Sequence, residues 1–425
     1  MNSAVVVAKT LSIFENFLID VIAQSNFELS EVNISSQDEW KIEDGALAHK
    51  SGGFFQVCGL TNQVTQKEEL VLFQPQSALT GLVLCQKENT AFILLQARAE
   101  PGNIGVGQYG PTIQSTAANY LRMHGGKATS YFELFSGFRA KARLIDTTMQ
   151  FDLGKRYFQK SKSLMYVEVD ELIETDPNMI WVPLSVIQAS LAKDNFLNPD
   201  LRSLLCVFNW NKFLGCPDIE TSSSAPIDFL TRILHGKEFG CGSWNTLPLN
   251  QLNNWEVTDA GILNKDNSDV SVKLFQTVCK TREVSQWVQP LMIGSGQGLV
   301  KLLMRQHNGE TEFLLSLQKE FGISGQQTIT PTYLIYPGEK VKPEIMTNNN
   351  VVAEFFQSEE GGRFIAHESV YQLCLIEDEM LIQDNQYWVN AYTLKKLLST
   401  SNNVSIQLRC ISSLLIDIIN PEAFC

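Results

Sequence analysis

Basic residues are in short supply. The 33 Lys and Arg are outnumbered by 46 Asp and Glu, for a formal net charge of −13. A surface of that sign repels nucleic acid and anionic membrane alike, so neither is expected as a partner. Paired cysteines are lacking as well: nine cysteines are scattered with no C-x-x-C spacing. That argues against a disulfide framework and for the reduced thiols of a cytoplasmic protein. Glu15 and Asp20 interrupt the first apolar stretch and no basic segment precedes it, so neither a signal peptide nor a membrane span is expected. The glycines that follow Pro101 are not read as a dinucleotide or Walker A loop and give no reason to expect NAD or ATP. The adjacent Glu359 and Glu360 hint at a metal, but no histidine or carboxylate cluster completes such a site. No cofactor and no metal are assigned.

What is present is a globular composition, 44% apolar and 10% aromatic, in a chain of 425 residues. That is more than one ordinary core holds, so two domains are expected. The chain also repeats itself. Adding 215 carries Phe14 to Phe229, Trp40 to Trp255, Asp44 to Asp259 and Gln74-Pro75 to Gln289-Pro290. Adding 220 carries Leu94, Glu100, Gly102, Pro111 and Thr112 onto identical residues, and adding 207 pairs Gln150, Gly154, Arg156 and Trp181 with Gln357, Gly361, Arg363 and Trp388. Three blocks in one order argue for an internal duplication, with domains at 1–220 and 221–425 and a boundary near the polar run TSSSAP. Phe14, Phe17, Leu18, Val21 and Ile22 recur at helical spacing. ELVLF, GLVLC, AFILLQ, YVEV and MIWV read as strands, TDPN as a turn, and Leu184 to Leu191 as a helix. The expected fold is α+β with mostly antiparallel pairing, and Trp40 and Trp181 are expected in the core.

Chemistry is concentrated between Gln96 and Gly126, QARAEPGNIGVGQYGPTIQSTAANYLRMHGG. Its glycines let a ligand approach main-chain N–H groups. Arg98 and Arg122 suit a diphosphate, Glu100 and His124 are candidate proton carriers, and Tyr109 and Tyr120 are candidates to stack on a base or donate a phenolic hydrogen bond. A second segment, QSEEGGRF at 357–364, keeps an arginine after glycine as its first-copy partner QFDLGKRYF does. Phosphate binding by Arg156 and Arg363, or an ion pair of the arginine with Glu359 or Glu360, both fit that pattern.

These two strings, with the duplicated Trp and Gln-Pro positions, resemble the NDP-hexose 2,3-dehydratases over essentially the whole chain. The resemblance implies two tandem Nudix-like domains, a homodimer, and a dTDP-linked 4-keto-6-deoxyhexose as substrate. It implies loss of water across C2 and C3, and a labile 3,4-diketo-2,6-dideoxy product that a separate NADPH-dependent 3-ketoreductase would consume. His124 is then the first choice of base and Glu100 its rival, with Tyr109 or Tyr120 polarising the C4 oxygen or protonating the leaving hydroxyl. Gln96, Arg98, Gly102, Asn103, Gln108, Thr112, Gln114, Asn119, Arg156, Gln357, Glu360 and Arg363 are the implied substrate contacts. There are departures from the family's pattern. Leu72 stands where the second copy keeps the family's tryptophan, Trp287, and Ala117 and Ala118 replace a more polar stretch. Gln318, Phe321 and Leu334 in the second copy make its version of the site look decayed. The Nudix hydrolase signature occurs in neither half, so its carboxylate row for magnesium is missing. A nucleotide-sugar-binding protein without catalysis and a divergent Nudix hydrolase stand as alternatives.

Overall fold

The computed structural model describes residues 4–123, 127–137, 141–218, 244–294, 296–323, 327–340, 350–377 and 382–424. The expected domain boundary near TSSSAP lies outside them. Helices and strands are mixed, with strands predominating, and the strands form four sheets among the described residues.

The first helix, Leu11–Gln24, begins where the Thr10 side chain accepts from the Ile13 amide at 3.3 Å. Phe14, Leu18 and Val21, spaced four and three apart, are its buried stripe, with Phe17 and Ile22 packed at the margin. The helix lies on the strand Thr90–Ala99. No helix of the described residues is long and apolar enough to cross a membrane.

Two seven-stranded sheets share one strand order. The first runs Arg143–Phe151, Ser161–Glu168, Ala78–Lys87, Thr90–Ala99, Met179–Pro183, and the second runs Asn350–Ser358, Glu368–Leu375, Gln297–His307, Glu310–Lys319, Gln386–Asn390. In each, two short strands complete the sheet. The runs read as GLVLC, AFILLQ and MIWV all fall in the first sheet, and Trp181 is fully buried there. Pairing is not antiparallel throughout: Ser161–Glu168 runs parallel to Ala78–Lys87, and Glu368–Leu375 parallel to Gln297–His307. The reason is the hairpin formed by Arg143–Phe151 and Ser161–Glu168, whose second arm returns in the direction of the strand it meets after a long crossover. One local detail recurs in both sheets. The Thr112 hydroxyl donates to Leu94 O at 2.5 Å and accepts from the Val83 amide at 2.9 Å, and Thr332 does the same with Leu314 O and Leu303 N at 2.5 and 2.9 Å.

The halves are interlocked through their smaller sheets. Glu28–Val32 pairs with Ser271–Val278 of the second half, and Trp244–Leu247 pairs with Gln56–Asn62 of the first. Arg202 Nε reaches Gln357 Oε1 at 3.0 Å, while Arg409 Nη1 reaches Gln150 Oε1 at 3.4 Å. Trp40, buried as expected, donates from Nε1 to Val288 O across the same seam at 2.7 Å. Consequently the loop after Thr90–Ala99 packs on the GGRF turn of the other half, where Gly362 N donates to Pro101 O at 2.8 Å. The equivalent loop of the second half packs on the first half's GKRY turn, through Gly322 N to Gly154 O at 2.7 Å.

Candidate active site

This interlocking builds a cavity of about 440 Å³ whose walls come from both halves. The size suits a nucleotide-scale ligand. Part of the lining is aromatic: Trp40, with Phe54 and Phe55 just before the strand Gln56–Asn62, comes from the first half, and Trp287 from the second. The Trp287 indole donates to Gln289 Oε1 at 2.8 Å, and Gln289 Nε2 donates to Gly362 O at 2.7 Å, which ties this part of the lining to the GGRF turn. Trp287 of the second half lines the cavity, whereas Leu72, 215 residues before it, is core.

The arginines at the rim differ in what they have left to give. Arg98 has all three nitrogens engaged: Nε and Nη2 donate to Glu100 Oε1 at 3.2 and 2.6 Å, and Nη1 to Gln96 Oε1 at 2.8 Å. Arg282 adds a third bond to the same Glu100 oxygen at 3.2 Å and pairs with Glu283 at 3.3 Å. Burial acts to raise the Glu283 carboxyl, but Arg282, with Arg98 behind it, outweighs burial and lowers it to about 2. Arg363 is different. It stacks 4.2 Å from the Phe55 ring centroid, and its Nη1 donates only to its own turn's Gly362 O at 2.7 Å. Its Nε is buried without a hydrogen bond, and no ion pair to it is formed among the described residues. An arginine with unspent donors in a cavity is suited to an anion.

The floor is a network of buried charges. Lys162 Nζ lies 2.7 Å from Asp200 Oδ1, 3.1 Å from Asp152 Oδ2 and 3.3 Å from Glu360 Oε2. Lys160 bridges Asp152 at 3.0 Å and Glu360 at 3.4 Å, the Tyr157 hydroxyl donates to Glu360 Oε2 at 3.0 Å, and Gln114 Nε2 donates to Glu360 Oε1 at 3.4 Å. Burial opposes the charge on Glu360, but Lys160, Lys162 and Arg363 hold its carboxyl well below the usual range. Asp200 goes the other way: burial raises it to about 6 against the pull of Lys162. Burial likewise raises Glu359 to about 8.

Of the residues expected from sequence, Arg98, Glu100, Gln114, Asn119, Glu360 and Arg363 line this cavity. His124 lies outside the described residues, although Asn119 and Met123 before it line the cavity. Tyr120 stacks on Phe132 with centroids 5.0 Å apart and does not line it. Tyr109 is held in the core, its hydroxyl donating to Phe14 O at 2.7 Å and its ring stacked on Phe14, so it presents no donor to a ligand. Gln96 supports Arg98, and Thr112 is spent on the sheet. Gln108 bonds Ser358 Oγ at 2.7 Å and, with Gln357, belongs to the seam between halves. Gly102 and Asn103 pack on the GGRF turn. Arg156 sits in the corresponding position of the other half, paired with Asp269 at 3.0 Å, because the exchange of turns carries each arginine across the seam. Gly105, Gly107 and Gly110 do fall at G-x-G-x-x-G spacing. Yet Gly107–Gly110 is a strand antiparallel to Thr90–Ala99, not the turn into a helix that a dinucleotide loop requires.

Sequence reasoning missed Thr80, Lys162, Asp200 and Arg282. Lys162 had a signal: it shares the inward face of its strand with Leu164 and Tyr166 at a spacing of two, and a lysine on an apolar face needs buried partners. Asp200, in the first turn of a helix, looked like an ordinary dipole partner.

Comparison with known proteins agrees over nearly the whole length. Three relatives each carry the name dTDP-4-dehydro-6-deoxy-alpha-D-glucopyranose 2,3-dehydratase. The one from Saccharopolyspora spinosa is 26% identical over 93% of this chain and 89% of its own. That from Streptomyces violaceoruber is 25% identical over 91% and 93%, and that from Amycolatopsis orientalis 25% over 90% and 85%. The profile of one family matches residues 12–208 and 233–415, so this chain belongs to the NDP-hexose 2,3-dehydratases.

Proposed function

We propose that this protein removes water across C2 and C3 of dTDP-4-keto-6-deoxyglucose, giving a 3,4-diketo-2,6-dideoxy sugar. The observation that carries the reading is the cavity itself, in which an aromatic lining, an arginine with free donors and a floor of paired carboxylates and lysines follow one another. Thymine packs among Phe54, Phe55 and Trp287, the diphosphate meets Arg363, and the sugar reaches Gln114, Asn119 and Glu360. The C4 ketone acidifies the C3 hydrogen, so one base suffices to start elimination without a redox step. His124 takes that proton, with Glu100 the alternative, since its Oε2 is free of the three bonds that hold Oε1. Neither Tyr109 nor Tyr120 lines the cavity, so neither is given the C4 oxygen. Supplying base and acid together contributes several powers of ten in rate.

In the same reading, residues 1–220 and 221–425 are tandem Nudix-like domains from one duplication, which the shared strand order and the repeated threonine bonds support. The enzyme is a cytoplasmic homodimer, and an NADPH-dependent 3-ketoreductase consumes its product. Incubation with the keto sugar, that reductase and NADPH should trap a 2-deoxy sugar. Retention of the C2 hydroxyl despite measurable dTDP binding would instead favour a nucleotide-sugar-binding protein without catalysis.

A further inference from the structure

Two polar atoms on the cavity floor have no partner. Oδ2 of Asp200 and Oγ1 of Thr80 are buried without a hydrogen bond among the described residues, and both side chains line the cavity. Asp200 is 2% exposed and Thr80 0%. Leaving such atoms unpaired costs about 1–3 kcal/mol each, a cost that hydroxyls of a bound sugar would recover. The other oxygen of Asp200 is fixed by Lys162, and its helix, Pro199–Val207, is started by Asn198, whose side chain accepts from the Leu201 amide at 2.8 Å. Asn198 Nδ2 also donates to Gln114 Oε1 at 3.0 Å, so the helix start and the cavity-lining Gln114 are held together. The arrangement belongs to one half only. At the corresponding positions of the second copy, Thr80 is Val300, Lys162 is Ser369 and Asp200 is Gln407.

From this geometry we infer that Asp200 is the acid that protonates the departing C2 hydroxyl, with Lys162 as its positioning residue and Thr80 as a hydrogen-bond partner of the sugar. The assignment rests on the dehydratase reading above. In the step, the base takes the C3 proton and that C–H pair forms the C2–C3 double bond. The C2–O bond breaks with its pair on oxygen, and the Asp200 carboxyl delivers its proton to complete water. Asp200 is left as a carboxylate against the Lys162 ammonium and is reprotonated from solvent before the next turnover. Burial, which raises its carboxyl to about 6, keeps a protonated fraction available near neutrality.

A substrate whose leaving group needs no proton separates this role from a structural one. Asp200→Asn should slow water loss from dTDP-4-keto-6-deoxyglucose by about 100-fold or more, the range of general acid catalysis. The same variant should release fluoride from the 2-deoxy-2-fluoro analogue within about threefold of the unmodified enzyme, since fluoride departs without that acid. Equal slowing on both substrates, or on neither, would overturn the assignment while leaving the dehydratase reading intact. If the unmodified enzyme eliminates from neither substrate, the dehydratase reading falls and this assignment with it.

Discussion

Gly102 lies directly against the main chain of Phe364, so close that a β-carbon on it would stand 1.7 Å from the Phe364 carbonyl oxygen. Its φ of +92° also favours glycine. Gly322 meets the carbonyl of Tyr157 in the same way, at 1.9 Å, so both seams of the interlocked halves close on a glycine. Gly102→Ala should therefore destabilise the fold by about 3 kcal/mol or more, through strain at a special backbone position. Gly105→Ala is the control: φ is +72° but nothing lies within 4 Å of the added carbon. It should cost about 1 kcal/mol, from the backbone alone. Urea denaturation of both variants checks this, and equal losses would contradict it.

Nucleotide affinity should follow Arg363 and not Arg156. Arg363→Ala removes the guanidinium with unspent donors and should raise the Kd for dTDP by roughly 10–100-fold, the worth of a charge-assisted pair. Arg156→Gln should leave that Kd within about twofold, because Arg156 is tied to Asp269 outside the cavity. Calorimetric titration with dTDP distinguishes the two.

Turnover should follow the proton carriers. His124→Ala or Glu100→Gln is expected to lower kcat about 100-fold with dTDP affinity nearly unchanged, as for loss of a general base. Full activity in both variants would remove them from the mechanism.

Acid sensitivity has an identifiable contributor. His367 is buried with neither ring nitrogen hydrogen-bonded, and burial, reinforced by Arg156 and Lys155, lowers it to about 3 from 6.5. Because the folded value is depressed, its contribution is complete above pH 6.5 and is lost as pH falls toward 3, while the unfolded chain takes up the proton first. Glu359, raised to about 8 by burial, acts in the opposite sense, so the comparison must be made against a variant. Between pH 7 and pH 5 the native protein should lose about 2 kcal/mol more stability than His367→Leu, at about 1.4 kcal/mol per pH unit below the unfolded pKa. Parallel profiles for the two proteins would contradict this.

Much of the architecture could be read from residue pattern, because apolar periodicity marks elements that bury a face. The stripe of Phe14, Leu18 and Val21 and the runs around Leu82, Ile93 and Trp181 all lie where their spacing placed them. Topology could not be read so far. Nothing local in Glu28–Val32 says that its partner is Ser271–Val278, since strand pairing across the chain depends on the whole assembly. That exchange is why Arg156, which matches Arg363 in sequence, lies in a different environment, and why Trp287 faces a cavity of the first half's sheet. Tyr109 misled for a related reason. A tyrosine among glycines looks exposed, yet alternation along Gly107–Gly110 turns its ring onto the first helix. The floor charges were hidden by distance in sequence: Lys162, Asp200 and Glu360 meet only after folding.

The central claim is elimination across C2 and C3, and a substrate deuterated at C3 tests it most directly. With the 3-ketoreductase and NADPH present, the account predicts a trapped 2-deoxy sugar that has lost both the C3 deuterium and the C2 oxygen, with one solvent-derived hydrogen at C2. A product that keeps the deuterium at C3, or a sugar that keeps its C2 hydroxyl, would contradict it.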